Sequence, residues 1–370
     1  MKGKLLSKLS RRQRVLLVVC LVMLLTSGIL FLIARHLSGI LYTQQEAERW
    51  QGESETEFSQ VSCYLPADAK IGLNAVQSFR NAAMTKLREA SVDVAGDEQL
   101  MLDCWSTTGK VVAVGETGKG DAAVIAVGGS FFDFHPIRLI SGDYLRQSDL
   151  MQDRVLLDEE LAWLLFGGTD LTGMTVKLNG VPFMVAGVIE RETDFASRKA
   201  YTAGLGLFMS YDAYTLLEES AGISCYEFVL AQPVKDFAVN VAREKFPIGQ
   251  GEIVCNTTRF EYGRRMDVIL KYGMRSTQNT GVIFPYWENA ARMVEDWAGL
   301  WTFLATVLLI LPAIVAIVEI YRFLVYGKEK LEDEYWPEFK DRAEEAIRVR
   351  QRRRWERQHG MHEKKEENTV

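Results

Sequence analysis

Two uncharged apolar segments, residues 15–34 and 297–318, constrain this sequence more than any other feature. Each is long enough to cross the roughly 30 Å hydrocarbon core of a bilayer as a helix. The first is interpreted as an uncleaved anchor, because its apolar run exceeds a typical signal-peptide core and no Ala-x-Ala site follows it. The sequence therefore predicts a protein that crosses the lipid bilayer twice, with a large globular region, residues 35–296, between the two transmembrane helices.

The charges that flank these segments predict the orientation. Six basic residues and no acid lie in the N-terminal segment 1–14, and Lys328 and Lys330 begin the charged tail 327–370. Because Lys and Arg are enriched on the cytoplasmic side, both termini are predicted to be cytoplasmic and residues 35–296 extracytoplasmic. That region carries 36 acidic and 24 basic residues, so it is expected to repel nucleic acid, and nucleic-acid binding is not predicted.

The extracytoplasmic region has two halves of the same pattern, at about 58–118 and 220–262. In each half, alternating apolar residues predict two strands, and apolar residues at helical spacing predict a helix between them. A β-rich insertion, about 120–215, separates the halves and contains a strong hairpin signal, Asn179-Gly180. The predicted fold class is α+β, held between two transmembrane α-helices.

Four of the five cysteines, Cys63, Cys104, Cys225 and Cys255, lie in this region, which suits an oxidising exterior. Three pairings are open. Because each half has one cysteine on each of its strands, the disulfides Cys63–Cys104 and Cys225–Cys255 are predicted to join neighbouring strands. The alternative is four buried free thiols. Zinc is not expected, because no CxxC spacing occurs and the chain has only four histidines.

The insertion contains short motifs of glycines and alternating apolar residues that follow Phe131-Phe132. Their characteristic positions are Gly142, Gly167, Gly173, Asn179, Gly180 and Gly187. Over about residues 128–190 these stretches resemble the MacB-type periplasmic core domain. The resemblance implies a porter-like subdomain made of the two strand–helix–strand halves, with the hairpin-rich subdomain inserted between them.

The resemblance also implies a function. In that family the domain lies between the first two membrane helices of an ABC-type permease, and two more membrane helices normally follow. The implied role is a plasma-membrane subunit of a bacterial MacB/FtsX-like transporter or mechanotransmission complex, with an ABC-type ATPase subunit, a full-length permease and an extracytoplasmic substrate or protein as candidate partners. A homodimer is a further candidate.

Two departures from the family pattern leave an alternative function open. Only one span follows the domain, and no GxxxxGK[ST] phosphate loop occurs, so the chain is not expected to hydrolyse ATP by that device. The expectation is a protein that is not an enzyme and has no cofactor. The alternative is a membrane-anchored extracytoplasmic receptor or scaffold that has no ATPase partner.

The segments around the second span carry two further predictions. Residues 274–296 are interpreted as a stalk continuous with the membrane helix and its cytoplasmic extension, 297–326, which would transmit motion; a passive anchor is the equal alternative. In the tail, a basic block is predicted to dock on anionic lipid or on an acidic partner surface, and the alternative is a solvated helix. The block comprises Arg348, Arg350, Arg352, Arg353 and Arg354.

Overall fold

The computed structural model describes residues 10–92, 100–146, 152–201, 206–272, 275, 281–330 and 335–366. The chain divides into two compact units. One comprises Met1–Gly28 and Thr306–Val370, and the other, Ile29–Ala305, contains every described strand.

The secondary structure of the described residues is as follows. The α-helices are α1 Arg11–Ser38, α2 Glu46–Gln51, α3 Leu73–Glu89, α4 Phe131–Phe134, α5 Glu159–Phe166, α6 Phe195–Ala200, α7 Tyr211–Leu217, α8 Phe237–Lys245, α9 Tyr262–Leu270, α10 Tyr286–Lys330 and α11 Trp336–Glu366. The strands are β1 Phe58–Tyr64, β2 Met101–Val114, β3 Lys119–Gly129, β4 Leu139–Gly142, β5 Arg154–Asp158, β6 Thr175–Leu178, β7 Val181–Ile189, β8 Gly206–Ser210, β9 Cys225–Ala231 and β10 Glu252–Cys255.

Two of these helices, α1 and α10, are long and apolar enough to cross a membrane, which confirms the predicted number of membrane-spanning segments. Helix α10 runs from Tyr286 to Lys330, so it includes the last residues of the predicted stalk. Residues 274 and 276–280 of that stalk lie outside the described residues. The exact domain boundaries given above stay a prediction.

The strands form one sheet in the order β10-β1-β9-β2-β3-β8-β5-β7-β4, and β6 pairs with both β2 and β7. The predicted strand–helix–strand halves are β1-α3-β2 and β9-α8-β10, and their strands interleave. Strand β9 lies between β1 and β2, and β1 lies between β9 and β10, with antiparallel pairing throughout. Each half is therefore a split βαβ unit whose gap is filled by a strand of the other half.

This interleaving corrects the predicted disulfides. The pair Cys63–Cys104 would have to reach across β9, and Cys225–Cys255 would have to reach across β1. Neighbouring strands are already about 4.8 Å apart, so strands with a third between them are separated by about twice that spacing, well beyond the Cβ separation of a disulfide. All four cysteines are free thiols in the structure. The prediction was wrong because it assumed that consecutive strands of one half are neighbours.

The inserted subdomain builds its own core around β5, β7 and α5. The hairpin β6–β7 turns at Asn179 and Gly180, both at positive φ, as a two-residue turn of the primed type requires. Gly142 and Gly187 face each other where β4 pairs with β7. A Cβ on Gly142 would lie 2.1 Å from the carbonyl oxygen of Ala186, so a side chain there is excluded. In the insertion, Gly180 allows the tight turn, and Gly142 and Gly187 allow the close approach of β4 and β7.

Candidate functional site

The two central strands of the β10-β1-β9-β2 group, β1 and β9, are covered on both faces. Every residue of β1 and β9 is buried, although one-sided strands would alternate. On one face, α3 places Phe79 against Tyr226 and Phe228 of β9. On the other face lie α2, α4, the segment after β10 and the first turns of α10. This second face carries a buried polar network and is the candidate functional site.

At the centre of the network is Arg259, in the segment after β10, which pairs with Glu288 in the first turn of α10. The pairing is bidentate: Arg259 Nη1 and Nη2 donate to the two carboxylate oxygens of Glu288, each at 2.7 Å. Both side chains are essentially inaccessible to solvent. Tyr64, at the end of β1, donates its hydroxyl to the same carboxylate at 3.0 Å. The carboxylate therefore joins the sheet, the segment after β10 and α10.

Further ion pairs continue this junction along α10. Arg292, one turn after Glu288, donates to that carboxylate and to Glu252 of β10, each at 2.7 Å. Glu295, one turn later, lies 2.8 Å from Arg259 Nε and also pairs with Arg275. Two successive turns of α10 are thus held to the sheet and to the segment after it by charged groups.

The charges fix the protonation states of the central pair. Burial by itself raises the pKa of Glu288, but the positive charges of Arg259 and Arg292 outweigh it, so its pKa lies below the ordinary value. Burial likewise lowers the pKa of Arg259, and the facing carboxylates of Glu288 and Glu295 reverse the shift and raise it well above its ordinary range. Both groups therefore stay ionised across the physiological pH range, and the junction is permanently charged.

A second buried cluster lies on the same face of the sheet. Glu227, in the middle of β9, receives a hydrogen bond from Ser62 at 2.7 Å and lies 2.6 Å from His135 Nε2. Asn256 donates to the Ser62 hydroxyl at 2.7 Å. The imidazole of His135 packs against Trp287 of α10, with ring centroids 4.5 Å apart. The cluster therefore also reaches the first turn of α10.

One group in this cluster offers donor atoms suited to a metal ion. Ligand atoms of Cys104, His135 and Glu227 lie within 4.8 Å of one another, and all three residues are buried. Structural zinc sites use four such ligands, and this group supplies three. Burial, reinforced by the charge of Glu227, raises the pKa of the Cys104 thiol well above its ordinary value. The described geometry is that of a hydrogen-bonded core around the His135–Glu227 contact.

An apolar cleft of about 320 Å³ opens between the insertion and the start of α10. Its walls include Phe208 of β8 and Ile283 and Phe284, which precede α10. On one side Tyr201 stacks on Tyr286 at a centroid distance of 4.1 Å. The volume is in the range of pockets that take small ligands or side chains of a partner.

The predicted site residues fall in three places. The cysteines lie within the interleaved strands, and the motif glycines with Asn179 lie in the inserted subdomain. The arginine block, Arg348 to Arg354, lies in α11, with exposed side chains. Sequence reasoning missed Arg259, Glu288 and His135. It also missed Glu227, although a single acid inside an otherwise apolar strand is a signal that could have identified it.

The comparisons with known proteins give one family and several solved structures. Residues 16–242, from α1 into α8, match the family described as MacB-like periplasmic core domain. No curated protein matches the chain significantly.

Two solved structures illustrate the similarity in fold. The extracellular domain of the noncanonic ABC-type transporter YknZ from Gram-positive bacteria has 15% sequence identity and a TM-score of 0.35; the alignment covers 51% of this chain and 92% of that one. The periplasmic region of MacB from Actinobacillus actinomycetemcomitans has 16% identity and a TM-score of 0.37, covering 60% of this chain and 94% of that one.

Proposed function

This chain belongs to the family of MacB-like periplasmic core domains, and from that membership we propose that it is a membrane subunit of an ABC-type transporter or mechanotransmission complex of the MacB/FtsX kind. Its two apolar helices flank a large extracytoplasmic domain, so it is a membrane protein. In the proposed arrangement the chain lies in the bacterial plasma membrane with both termini in the cytoplasm. A separate cytoplasmic ATPase then supplies the energy that the chain conveys to its extracytoplasmic domain.

The observation that carries the proposal is the charged junction at Glu288. Helix α10 contains both Glu288 and the predicted span 297–318. Because Arg259 and Tyr64 hold this carboxylate from the sheet side, sliding of α10 along the sheet would break a buried bidentate ion pair. Breaking such a pair is strongly destabilising, at about 3–5 kcal/mol. The first turns of α10 and the sheet would therefore move together, as a coupling element must.

The cytoplasmic part of the proposal concerns α11. Its basic block, Arg348 to Arg354, is exposed and would dock on an acidic surface of the ATPase subunit. Arginine suits this role because its planar guanidinium pairs bidentately with carboxylates. Anionic lipid is the other surface that this block would bind.

The second candidate function is a membrane-anchored receptor or scaffold with no ATPase partner. The apolar cleft beside α10 favours it, since ligand or partner binding there needs no energy input. In both candidates the extracytoplasmic substrate or protein would engage the domain outside. They differ in whether an ATPase is bound inside.

The test is recovery of the partner from native membranes. The affinity-tagged full chain is crosslinked in cells, extracted in mild detergent and analysed by mass spectrometry. The proposal expects an ABC-type ATPase among the crosslinked proteins, lost when the five arginines of the block are changed to glutamine. A matched variant with the five arginines changed to lysine keeps the charge but removes bidentate pairing, and it should recover less ATPase than the wild type. Recovery of no ATPase from the wild-type chain would leave the receptor or scaffold function.

A further inference from the structure

The short helix α9 lies beside the outer ends of both predicted spans. Gly299, the third residue of the second span, packs directly under α9: a Cβ there would lie 2.9 Å from the carbonyl oxygen of Arg265 and 3.4 Å from Ile269 Cδ1. Arg265 donates to the hydroxyl of Ser38, the last residue of α1, at 3.2 Å. Because Ser38 follows the first span closely, α9 is placed at the level where both helices would leave the membrane.

The aromatic residues of α10 mark the same level. Trp297 and Trp301 stack with centroids 6.2 Å apart, and Trp297 is partly exposed. Tryptophans at the end of a span typically sit among the lipid headgroups. Helix α9, which packs on Gly299, exposes Tyr262, and Leu270 and Tyr272 at its end are more than two-thirds exposed. A short helix with exposed apolar and aromatic residues beside basic ones is typical of a membrane surface.

The opposite face of α9 borders a cleft of about 340 Å³, bounded also by α8, β10 and α10. Arg264 of α9, Lys271 directly after α9 and Arg243 of α8 line it. None of these three has an acidic partner within salt-bridge distance among the described residues. Asp267 is the acid that α9 itself contributes. The other acids that line the cleft, Glu252 of β10 and Glu288 and Glu295 of α10, are already paired with arginines.

We propose that this cleft binds the phosphate of an anionic phospholipid headgroup in the outer leaflet, with α9 lying in the headgroup layer. The domain as a whole carries an excess of acid, so three cations that have no acidic partner in the described part of the chain are a local reversal of charge. A phosphate satisfies several cationic donors at once, and the cleft has the volume of a small-ligand site. Bound lipid would hold the base of the domain at the membrane surface. This inference is independent of the proposed ATPase partner.

The test compares lipid retention by the full chain. The protein is purified in a neutral detergent doped with equal amounts of phosphatidylglycerol and phosphatidylcholine, and retained lipids are counted by native mass spectrometry. The wild type should retain phosphatidylglycerol in preference. The double variant Arg264→Gln Lys271→Gln should lower that preference roughly thirtyfold, since each cation near an anionic headgroup contributes about 1 kcal/mol. The matched control, Arg198→Gln Lys199→Gln, removes the same two charges from exposed positions of α6 and should change nothing.

Equal retention of both lipids by the wild type would overturn the proposal, and so would an equal loss of preference in the control variant. Displacement of bound phosphatidylglycerol by inorganic phosphate would also overturn it, because it would indicate a site for soluble anions. If the double variant fails to fold, judged by its unfolding temperature, Arg243→Gln removes the third cation from a different helix and should lower the preference roughly fivefold. An acidic peptide is also tested as a competitor. If it displaces bound phosphatidylglycerol more effectively than phosphatidylcholine does, the cleft is a site for a protein partner instead.

Discussion

Both faces of strands β1 and β9 are buried, but the two faces are covered in different ways. On the α3 face, Phe79 packs among aromatic rings, with its centroid 5.0 Å from that of Phe228 and 5.5 Å from that of Phe246. On the α10 face, alternate residues of the same strands place Glu227 beside His135 and Tyr64 beside Glu288, and both partners are buried. Strand β9 therefore packs aromatic side chains against α3 on one face and places Glu227 in a buried polar cluster on the other face.

This difference indicates which face fixes the position of its helix relative to the sheet. Burial of apolar area is non-directional, and within the described ranges the α3 face adds to it a single ion pair with the sheet, between Arg80 of α3 and Asp103 of β2, whereas the α10 face carries several linked pairs. Buried ion pairs contribute little net stability compared with apolar packing, but removal of one partner is severely destabilising. The α10 face therefore sets where α10 begins relative to the sheet, and the α3 face contributes mainly apolar packing. Four measurements can break or sharpen this comparison.

The largest effect is expected from Arg259→Met, which leaves Glu288 and Glu295 buried with fewer counterions. The free energy of unfolding should fall by about 4–5 kcal/mol. Thermal unfolding of the full chain in detergent, followed by tryptophan fluorescence, measures the change. Arg138→Met is the matched control, because the pair of Arg138 with Glu190 is exposed and should contribute less than about 1 kcal/mol.

The same ion pair offers a sharper version of that measurement. The double variant Arg259→Met Glu288→Met removes both members of the central pair, so it should recover part of the stability lost in Arg259→Met. If the two variants are equally destabilised, the loss comes from packing rather than from an unpaired charge, and the α10 face would not differ in kind from the α3 face.

On the apolar face, Phe79→Ala should lower the free energy of unfolding by about 3–4 kcal/mol, because it leaves a cavity among packed rings. The same fluorescence measurement applies. Phe195→Ala, at a partly exposed position that begins α6, is the control and should have less than a third of the effect. Comparable losses in both variants would contradict the role given to the α3 face.

A smaller, pH-dependent effect is expected at Glu46 of α2, which also covers the α10 face. Burial raises the pKa of Glu46 from 4.5 to about 7, against the opposing effect of Arg49. The folded state thus holds its proton more tightly than the unfolded state. The contribution of protonated Glu46 to the free energy of unfolding is fully present below about pH 4.5 and is lost as the pH rises through 7.

The variant Glu46→Gln removes this titration. Relative to the wild type it should be more stable by about 2 kcal/mol at pH 8 and no more stable at pH 4. Unfolding temperatures recorded from pH 4 to pH 8 measure the difference. Glu48→Gln, at an exposed position of the same helix, should follow the wild type at every pH. A constant difference between Glu46→Gln and the wild type would show that Glu46 has an ordinary pKa.

The smallest effect is expected from reductant. A disulfide typically contributes about 2–4 kcal/mol, whereas free thiols contribute nothing that reduction can remove. Added reductant should therefore leave the unfolding temperature unchanged, and Cys63, Cys104, Cys225 and Cys255 should all be alkylated after denaturation without reduction. Two bridged peptides in a non-reducing mass map would restore the original pairing prediction and contradict the interleaved strand order.

Local patterns in the sequence were enough to predict the elements of this fold. Alternation predicted strands at Cys63, Cys104 and Cys255, and the Asn179-Gly180 signal coincides with the turn between β6 and β7. These are properties of short segments, where period and turn chemistry act within a few residues. The two membrane-spanning helices were also predicted from local sequence, because a helix that crosses a bilayer needs a long uncharged apolar segment.

The candidate site could not be predicted in the same way, because it depends on which segments meet. Alternation in β1 suggested one buried face, and nothing local showed that α10 covers the other. Arg259 and Glu288 are ordinary charged residues in their own segments, and only the tertiary fold removes them from water. The order of strands was also missed, since a split βαβ unit and a simple one have the same sequence pattern.

The interleaved strands also bear on how the protein is made. Ser62 and Glu227, which share a hydrogen bond, are 165 residues apart in the chain. As the chain emerges from N-terminus to C-terminus, β1 has no neighbour in the sheet until β9 follows, whereas β6 and β7 can pair at once. Closing so long a loop is slow, so the insertion is expected to fold first and to wait for the halves around it. During synthesis the insertion would therefore be folded while β1, on its N-terminal side, still has no partner strand.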